Sequence, residues 1–268
     1  WQVIGLHRAF IRGCMANIEL ATVLLGATGF RAGNVNETFR GQVLLGDKSI
    51  RQAILKDLDL TQLCNELLAF CLARQVGLPV PDCFIGLVRP NVLPVTKAPI
   101  LADGSRLVFV SADVKVPNVT FQLVSTNPAG QQTLLAEIAK WVDLGRLYAF
   151  DAWIANIDRH PGNLLFGNPG DTWLIDHGHC FTGPAWKTED LDPAHEFVNR
   201  LSEWMTPCLN VTQKTARKAE ATAFEASLHG FTAQEPSESV RVTELLPLER
   251  VDALKAFLEA RSAQIARH

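Results

Sequence analysis

The chain has no CxxC pair. Its six cysteines, Cys14, Cys64, Cys71, Cys83, Cys180 and Cys208, stand apart, and several lie inside apolar runs. That pattern fits buried free thiols in a reducing cytoplasm better than disulfides. There is no apolar stretch of the roughly 18–20 residues that a membrane span needs. The longest candidate, residues 18–29, is interrupted by Glu19 and closed by glycines. There is no excess of one charge: 25 Lys and Arg face 28 Asp and Glu, for a net charge of −3. A basic field for sequence-independent nucleic-acid binding is therefore missing, and no nucleic-acid partner is expected. Lys214, Arg217 and Lys218 read as a solvated helix face. No repeat, low-complexity tract, GxGxxG or Walker A pattern is present. Residues 1–14 lack a long apolar region and a small-residue cleavage site, so a signal peptide is not expected. Met15 reads as the natural start and residues 1–14 as an extension.

What is present is a chain of 268 residues with 47% hydrophobic residues, enough to bury a sizeable core in one large domain or two lobes. Residues 17–25 read as a strand, and glycines 26, 29, 33 and 41 punctuate a loop after it. Residues 42–57 read as two strands joined at Gly46-Asp47-Lys48. Asp59 is a good N-cap, followed by apolar residues at helical spacing through Leu72, with Gly77, Pro79 and Pro81 as the stop. Residues 83–89 and 106–112 read as further strands. After Val116-Pro117-Asn118 the character changes. Residues 131–156 are helical, with a break expected at Gly145, and 190–228 and 248–266 are helical by pattern. The Trp residues read as core. A β-rich first part and a helical second part predict an α+β chain with two lobes, a β-rich N-lobe over 15–115 and a mostly helical C-lobe over 116–268.

The chemistry is concentrated between these parts. Asp158-Arg159-His160 is followed by Asn163, and Asp176-His177-Gly178 comes thirteen residues after Asn163. The spacing predicts a loop, a strand at LLF, a turn at NPGD, a strand at TWLI, and Asp176 at the strand's exit. Phosphoryl transfer needs such a set, because its catalysis is positioning plus electrostatics. Mg²⁺ prefers hard oxygen ligands. Asn163 and Asp176 supply a neutral oxygen and a carboxylate as metal ligands, while Asp158 suits a general base or a group that orients a hydroxyl. Arg159 or His160 is expected to orient Asp158 or to neutralise nearby charge, and Asp151 and Asn156 to brace the loop. His177, His179 and Cys180 are the residue types of a zinc site but lack a second, well-spaced pair.

DRHxxN followed by DxG resembles the HipA-like kinases and the phosphatidylinositol 3-/4-kinases. The resemblance extends to Ala53-Ile54-Leu55-Lys56, which looks like the strand bearing the phosphate-binding lysine. It extends also to Glu66, which looks like that lysine's helical ion-pair partner, off the apolar stripe and free to face a cleft. The resemblance implies a two-lobed protein-kinase-like fold, ATP and Mg²⁺ as cofactors, and transfer to a hydroxyl of a protein Ser or Thr. Thr28 and Thr38 stand as possible sites of autophosphorylation. Inactive nucleotide binding, a lipid or small-molecule acceptor, and AMP transfer stay open beside it, as does a metal-dependent hydrolase using the Asp/His cluster. By position alone, Gly26 and Gly29 belong to the phosphate loop, and Ser111, Ala112 and Asp113 to the hinge that meets adenine.

Overall fold

The computed structural model describes residues 18–29 and 36–265. The extension over 1–14, Met15, Cys14 and Gly33 lie outside them.

Short β-branched and aliphatic segments separated by turns make the first part a sheet. Its strands are β1 (Leu20–Val23), β2 (Thr28–Gly29), β3 (Thr38–Leu44), β4 (Ile50–Lys56), β5 (Cys83–Val88) and β6 (Arg106–Ala112). The order is β1-β5-β6-β4-β3-β2, and β1 also pairs with β3. That last pairing, Thr22 with Leu44 and Val23 with Val43, closes five strands into a small barrel. Only the β1–β5 pairing is parallel; every other one in the ring is antiparallel. Inward residues such as Ala21, Val43, Leu55, Val108 and Val110 fill the interior and are essentially unexposed. The space is tight enough to demand glycine at one position. A Cβ on Gly86 would lie 2.5 Å from Val110 Cγ2 and 2.7 Å from Val108 Cγ2.

Helix α1 (Leu60–Gln75) begins where the sequence predicts. Asp59 accepts a hydrogen bond from the Gln62 N–H at 2.9 Å. It ends where Gly77 adopts φ +74. Its burial differs from the expected single stripe, because every residue from Gln62 to Ala73 is buried. The helix is wedged between the barrel and the helices that follow, so polar residues on it must find partners inside.

The second part contains α2 (Val119–Val124), α3 (Pro128–Ile138), α4 (Leu144–Trp153), a hairpin of β7 (Leu164–Asn168) and β8 (Asp171–Leu174), α5 (Arg200–Met205), α6 (Val211–Ser227), α7 (Gln234–Ser239), α8 (Val242–Leu245) and α9 (Leu248–Ser262). Trp141, Trp153, Phe150, Leu254 and Leu258 are buried in one continuous core with α1. Trp186 is buried too, so these Trp residues are core as expected.

Three sequence expectations shift. The break in 131–156 falls before Leu144, and Gly145 lies inside α4. A Cβ there would lie 2.5 Å from the Arg217 carbonyl oxygen, so this glycine permits a close crossing with α6. The 190–228 segment is not continuously helical: 191–199 is irregular. Pro193 lacks an N–H, Asp192 Oδ1 accepts from the Ala194 N–H, and the carbonyls of Pro193 and His195 are taken by Arg261. Arg217, expected in solvent, donates to the Trp141 carbonyl at 2.8 Å and pairs with Glu220 at 2.6 Å.

Candidate active site

Lys56 is the last residue of β4, and Glu66 lies in the second turn of α1. Asp176 follows β8, 120 residues from Lys56 in sequence. The structure joins all three. Lys56 Nζ lies 2.5 Å from Glu66 Oε1 and 3.0 Å from Asp176 Oδ1. Glu66 is 1% exposed, so it does not line an open cleft as its position suggested; it is buried in this pair. Burial opposes its charge, yet the adjacent Lys56 ammonium and the hydrogen bond and charge of His177 outweigh that and hold its pKa at about 2. Burial likewise opposes the Lys56 charge, and Asp176 and Glu66 together raise its pKa above the ordinary lysine value.

The hairpin sets Asn163 beside Asp176. Leu164 pairs with Leu174, and the Ile175 N–H donates to the Asn163 carbonyl at 3.2 Å. Asn163 Nδ2 donates to the Asp158 carbonyl at 2.9 Å. Asn156 Oδ1 accepts from the Asp158 N–H at 3.2 Å. Asn163 thus touches Asp158, Lys56 touches Asp176, and the Ile175–Asn163 backbone bond brings the two pairs side by side. Asp176 adopts φ +63, a backbone state that Asp tolerates better than most side chains, and its own side chain stays 50% exposed.

Beneath them lies a buried frame. Arg159 Nε is 2.9 Å from Asp151 Oδ2, with neither side chain exposed. Arg159 Nη1 also donates to the carbonyls of Asn163 and Ile175. Asp151 accepts further from Asn156 Nδ2 and Asn199 Nδ2. Asp151 and Asn156 therefore brace the loop, as their place in the sequence suggested. Arg159 and His160 do not orient the Asp158 carboxylate. Arg159 turns inward, and His160 Nδ1 accepts from the Gly162 N–H. The groups beside that carboxylate are Arg200 Nη1, 3.0 Å from Oδ1, and His179 Nδ1, 3.8 Å from Oδ2.

Past the DxG triplet, Asn65 acts as a clamp. Its Nδ2 donates to the carbonyls of Gly178, Cys180 and Gly183, and its Oδ1 accepts from Trp186 Nε1 at 2.9 Å. His177 donates its backbone N–H to Glu66 Oε2 at 2.8 Å, and burial lowers its side-chain pKa. Burial raises the Cys180 thiol well above the usual range, which disfavours the thiolate that zinc requires. Among the described residues no three His, Cys, Asp or Glu side chains gather as a metal cage.

This arrangement is accompanied by a family match. A family model described as HipA-like kinase matches residues 54–244. The chain belongs to the HipA-like kinase family. No curated protein matches it in sequence. Among solved structures, this HipA-like kinase shares its fold with the crystal structure of a Helicobacter pylori proinflammatory kinase, CtkA. The TM-score is 0.51 at 10% identity, covering 85% of this chain and 91% of that one.

Other expected residues of this HipA-like kinase stand less close to those contacts. Gly26 (φ +93) and Gly29 are exposed near the turn between β1 and β2, and a Cβ on Gly26 would meet nothing within 4 Å. Residues 30–35 lie outside the described ones. Ser111 is paired within the sheet on both sides. The N–H groups of Ala112 and Asp113 donate to the carbonyls of Asp82 and Gln52. Those two N–H groups are therefore already engaged within the protein.

Sequence reasoning missed Arg200 and Asn65, and weighed His179 only for zinc, not as a neighbour of Asp158. For Asn65 there was a signal: an amide inside an otherwise apolar buried helix must be satisfied by something specific. For Arg200 there was none, since its contact with Asp158 spans 42 residues.

Proposed function

We propose that this chain is an ATP- and Mg²⁺-dependent phosphotransferase whose acceptor is a Ser or Thr hydroxyl of a protein. The observation that carries this reading is the convergence of Lys56, Glu66 and Asp176 from three elements, next to Asn163 and Asp158. In this reading residues 15–115 and 116–268 act as the two lobes of a kinase, with the site between them. A cytoplasmic setting belongs to the same reading, supported by the buried free thiols of Cys64, Cys71, Cys83 and Cys180. No helix among the described residues is long and apolar enough to cross a membrane.

The donor set fits Mg²⁺. Asp176 keeps a half-exposed carboxylate, and Asn163 uses its side-chain nitrogen on Asp158, leaving its side-chain oxygen Oδ1 to a metal ion. Mg²⁺ is held by one or two protein oxygens together with water and phosphate, so a larger cage is not required. When bound, the ion supplies neutralisation of the charge that spreads over the phosphoryl oxygens. Lys56, fixed by Glu66, clamps the nucleotide phosphates. Asp158 takes the proton of the acceptor hydroxyl as that oxygen bonds to phosphorus, and the bond to the departing ADP oxygen breaks with its electron pair. Gly26, Gly29 and the 111–113 segment flank the nucleotide in this reading.

The test is transfer from γ-labelled ATP in the presence of Mg²⁺. D158A and D176A are each expected to lower transfer by about 10²–10⁴-fold while circular dichroism is unchanged. Undiminished turnover in both variants rejects the assignment. Nucleotide binding without transfer by the wild type marks an inactive kinase fold. An adduct with the mass of AMP in place of phosphate marks nucleotidyl transfer.

A further inference from the structure

We infer that Arg200 is the positioning residue for the Asp158 carboxylate, mounted on the same buried frame as the catalytic loop. The inference rests on the proposed phosphotransfer and names the group that sets its proton acceptor.

A carboxylate that accepts a hydroxyl proton must present one oxygen in a fixed direction. The Asp158 side chain is 30% exposed, and the neighbouring cationic residues of its own motif do not hold it. Arg159 is committed to Asp151 and two carbonyls, and His160 to Gly162. The partner comes from α5. Arg200 Nη1 binds Oδ1 at 3.0 Å, which leaves Oδ2 to face an acceptor, with His179 Nδ1 3.8 Å away.

An exposed ion pair is by itself weak and often incidental, worth ~0–1 kcal/mol. Arg200, at 62% exposure, would count as such but for its mount. Asn199 Nδ2 donates to Asp151 Oδ2 at 3.1 Å, and the Leu201 N–H donates to the Arg159 carbonyl at 2.9 Å. The residues on both sides of Arg200 are therefore bonded to the two members of the buried pair under the loop. Asn199 also caps α5, accepting from the Ser202 N–H at 2.8 Å. The backbone of Arg200 cannot drift relative to Asp158, and only the side-chain rotamer is left to choose.

The experiment compares wild type, R200Q, R200K, D158N and the double variant D158N/R200Q. Turnover of MgATP is measured with casein and with water as acceptors, and MgATP affinity by calorimetry. R200Q is expected to lower kcat about 10–100-fold with MgATP affinity unchanged, because a misplaced reacting group costs that much. R200K, which restores a single cationic contact, recovers part of the loss. Adding R200Q to D158N brings no further loss, since Arg200 acts through Asp158. A crystal structure of R200Q shows the Asp158 carboxylate turned or divided between rotamers. A kcat within twofold of wild type, a loss confined to affinity, additive losses in the double variant, or Asp158 unmoved in R200Q each overturns the inference. A wild-type protein that turns over MgATP with neither acceptor overturns the proposed function, and this inference falls with it.

Discussion

Glu66 holds a negative charge where burial opposes it, so its behaviour with pH reads out the Lys56 contact. Its folded pKa of about 2 lies below the ordinary value of 4.5. A depressed carboxylate stabilises the fold above its unfolded pKa, and that stability is lost as pH falls towards the folded pKa. The window is therefore about pH 4.5 down to about 2. E66Q is expected to be about 3 kcal/mol less stable at neutral pH, because Lys56 loses its buried partner. Its urea-unfolding stability should also fall less steeply across that window, and equal slopes in the two proteins would show that the folded state does not hold this carboxylate down. The thiols give a second test. Burial raises Cys64 to about 12 and Cys71 to about 11, whereas Cys208 is exposed. Brief iodoacetamide treatment with peptide mapping should label Cys208 and spare Cys64, Cys71, Cys83 and Cys180; early labelling of the buried four would contradict the packing described.

Among the elements, α9 is fastened by an unusual device. Arg261 is unexposed and donates to the carbonyls of Ala152, Trp153, Pro193 and His195, between the rings of Phe197 and Phe257. It has no carboxylate partner in this set, and burial lowers its pKa to about 10. Arg261→Met keeps the length of the stem but leaves four carbonyls without this donor. It should cost about 3 kcal/mol in thermal or urea unfolding, and a loss below about 1 kcal/mol would show that water replaces the guanidinium easily. Ala155 offers a change of opposite sign. It is buried with φ +48, a state that favours glycine. A155G should raise stability by up to about 1 kcal/mol, and a decrease would place the cost of lost packing above the relief of strain. Most elements were legible beforehand. Asp59, Gly77 and the NPGD turn mark their boundaries by capping and turn chemistry, which acts over a few residues. The irregular 191–199 stretch was only half legible: Pro193 is a visible helix breaker, whereas Arg261, which takes the carbonyls of Pro193 and His195, lies far along the chain.

Taken whole, the protein shows what spacing can and cannot convey. The five residues from Asp158 to Asn163 and the strand exit at Asp176 follow from a local hairpin, so sequence could place them. That Lys56 reaches the same place depends on closure of the barrel and on a helix buried on all sides. Only the resemblance of AILK and of Glu66 to HipA-like kinases pointed there. Closure itself rests on the two-residue pairing of β1 with β3, for which alternation gives no sign. In the proposed reading, saturating MgATP should raise Tm by about 5–10 °C, the expected effect of ligand at roughly 100 times its Kd on a chain of this size. K56M should lose most of that shift, and an equal shift in K56M would place the nucleotide elsewhere.

Asn65 and Glu66 are neighbours on one turn of α1, and they grip different things. One holds the backbone from Gly178 to Gly183; the other holds Lys56 and the His177 N–H. A small sideways slip of the helix therefore breaks both grips in one event, so the lysine and the stretch after DxG loosen together. Native-state hydrogen exchange should report this as a single shared opening energy for the amides of Leu55, Lys56 and His177.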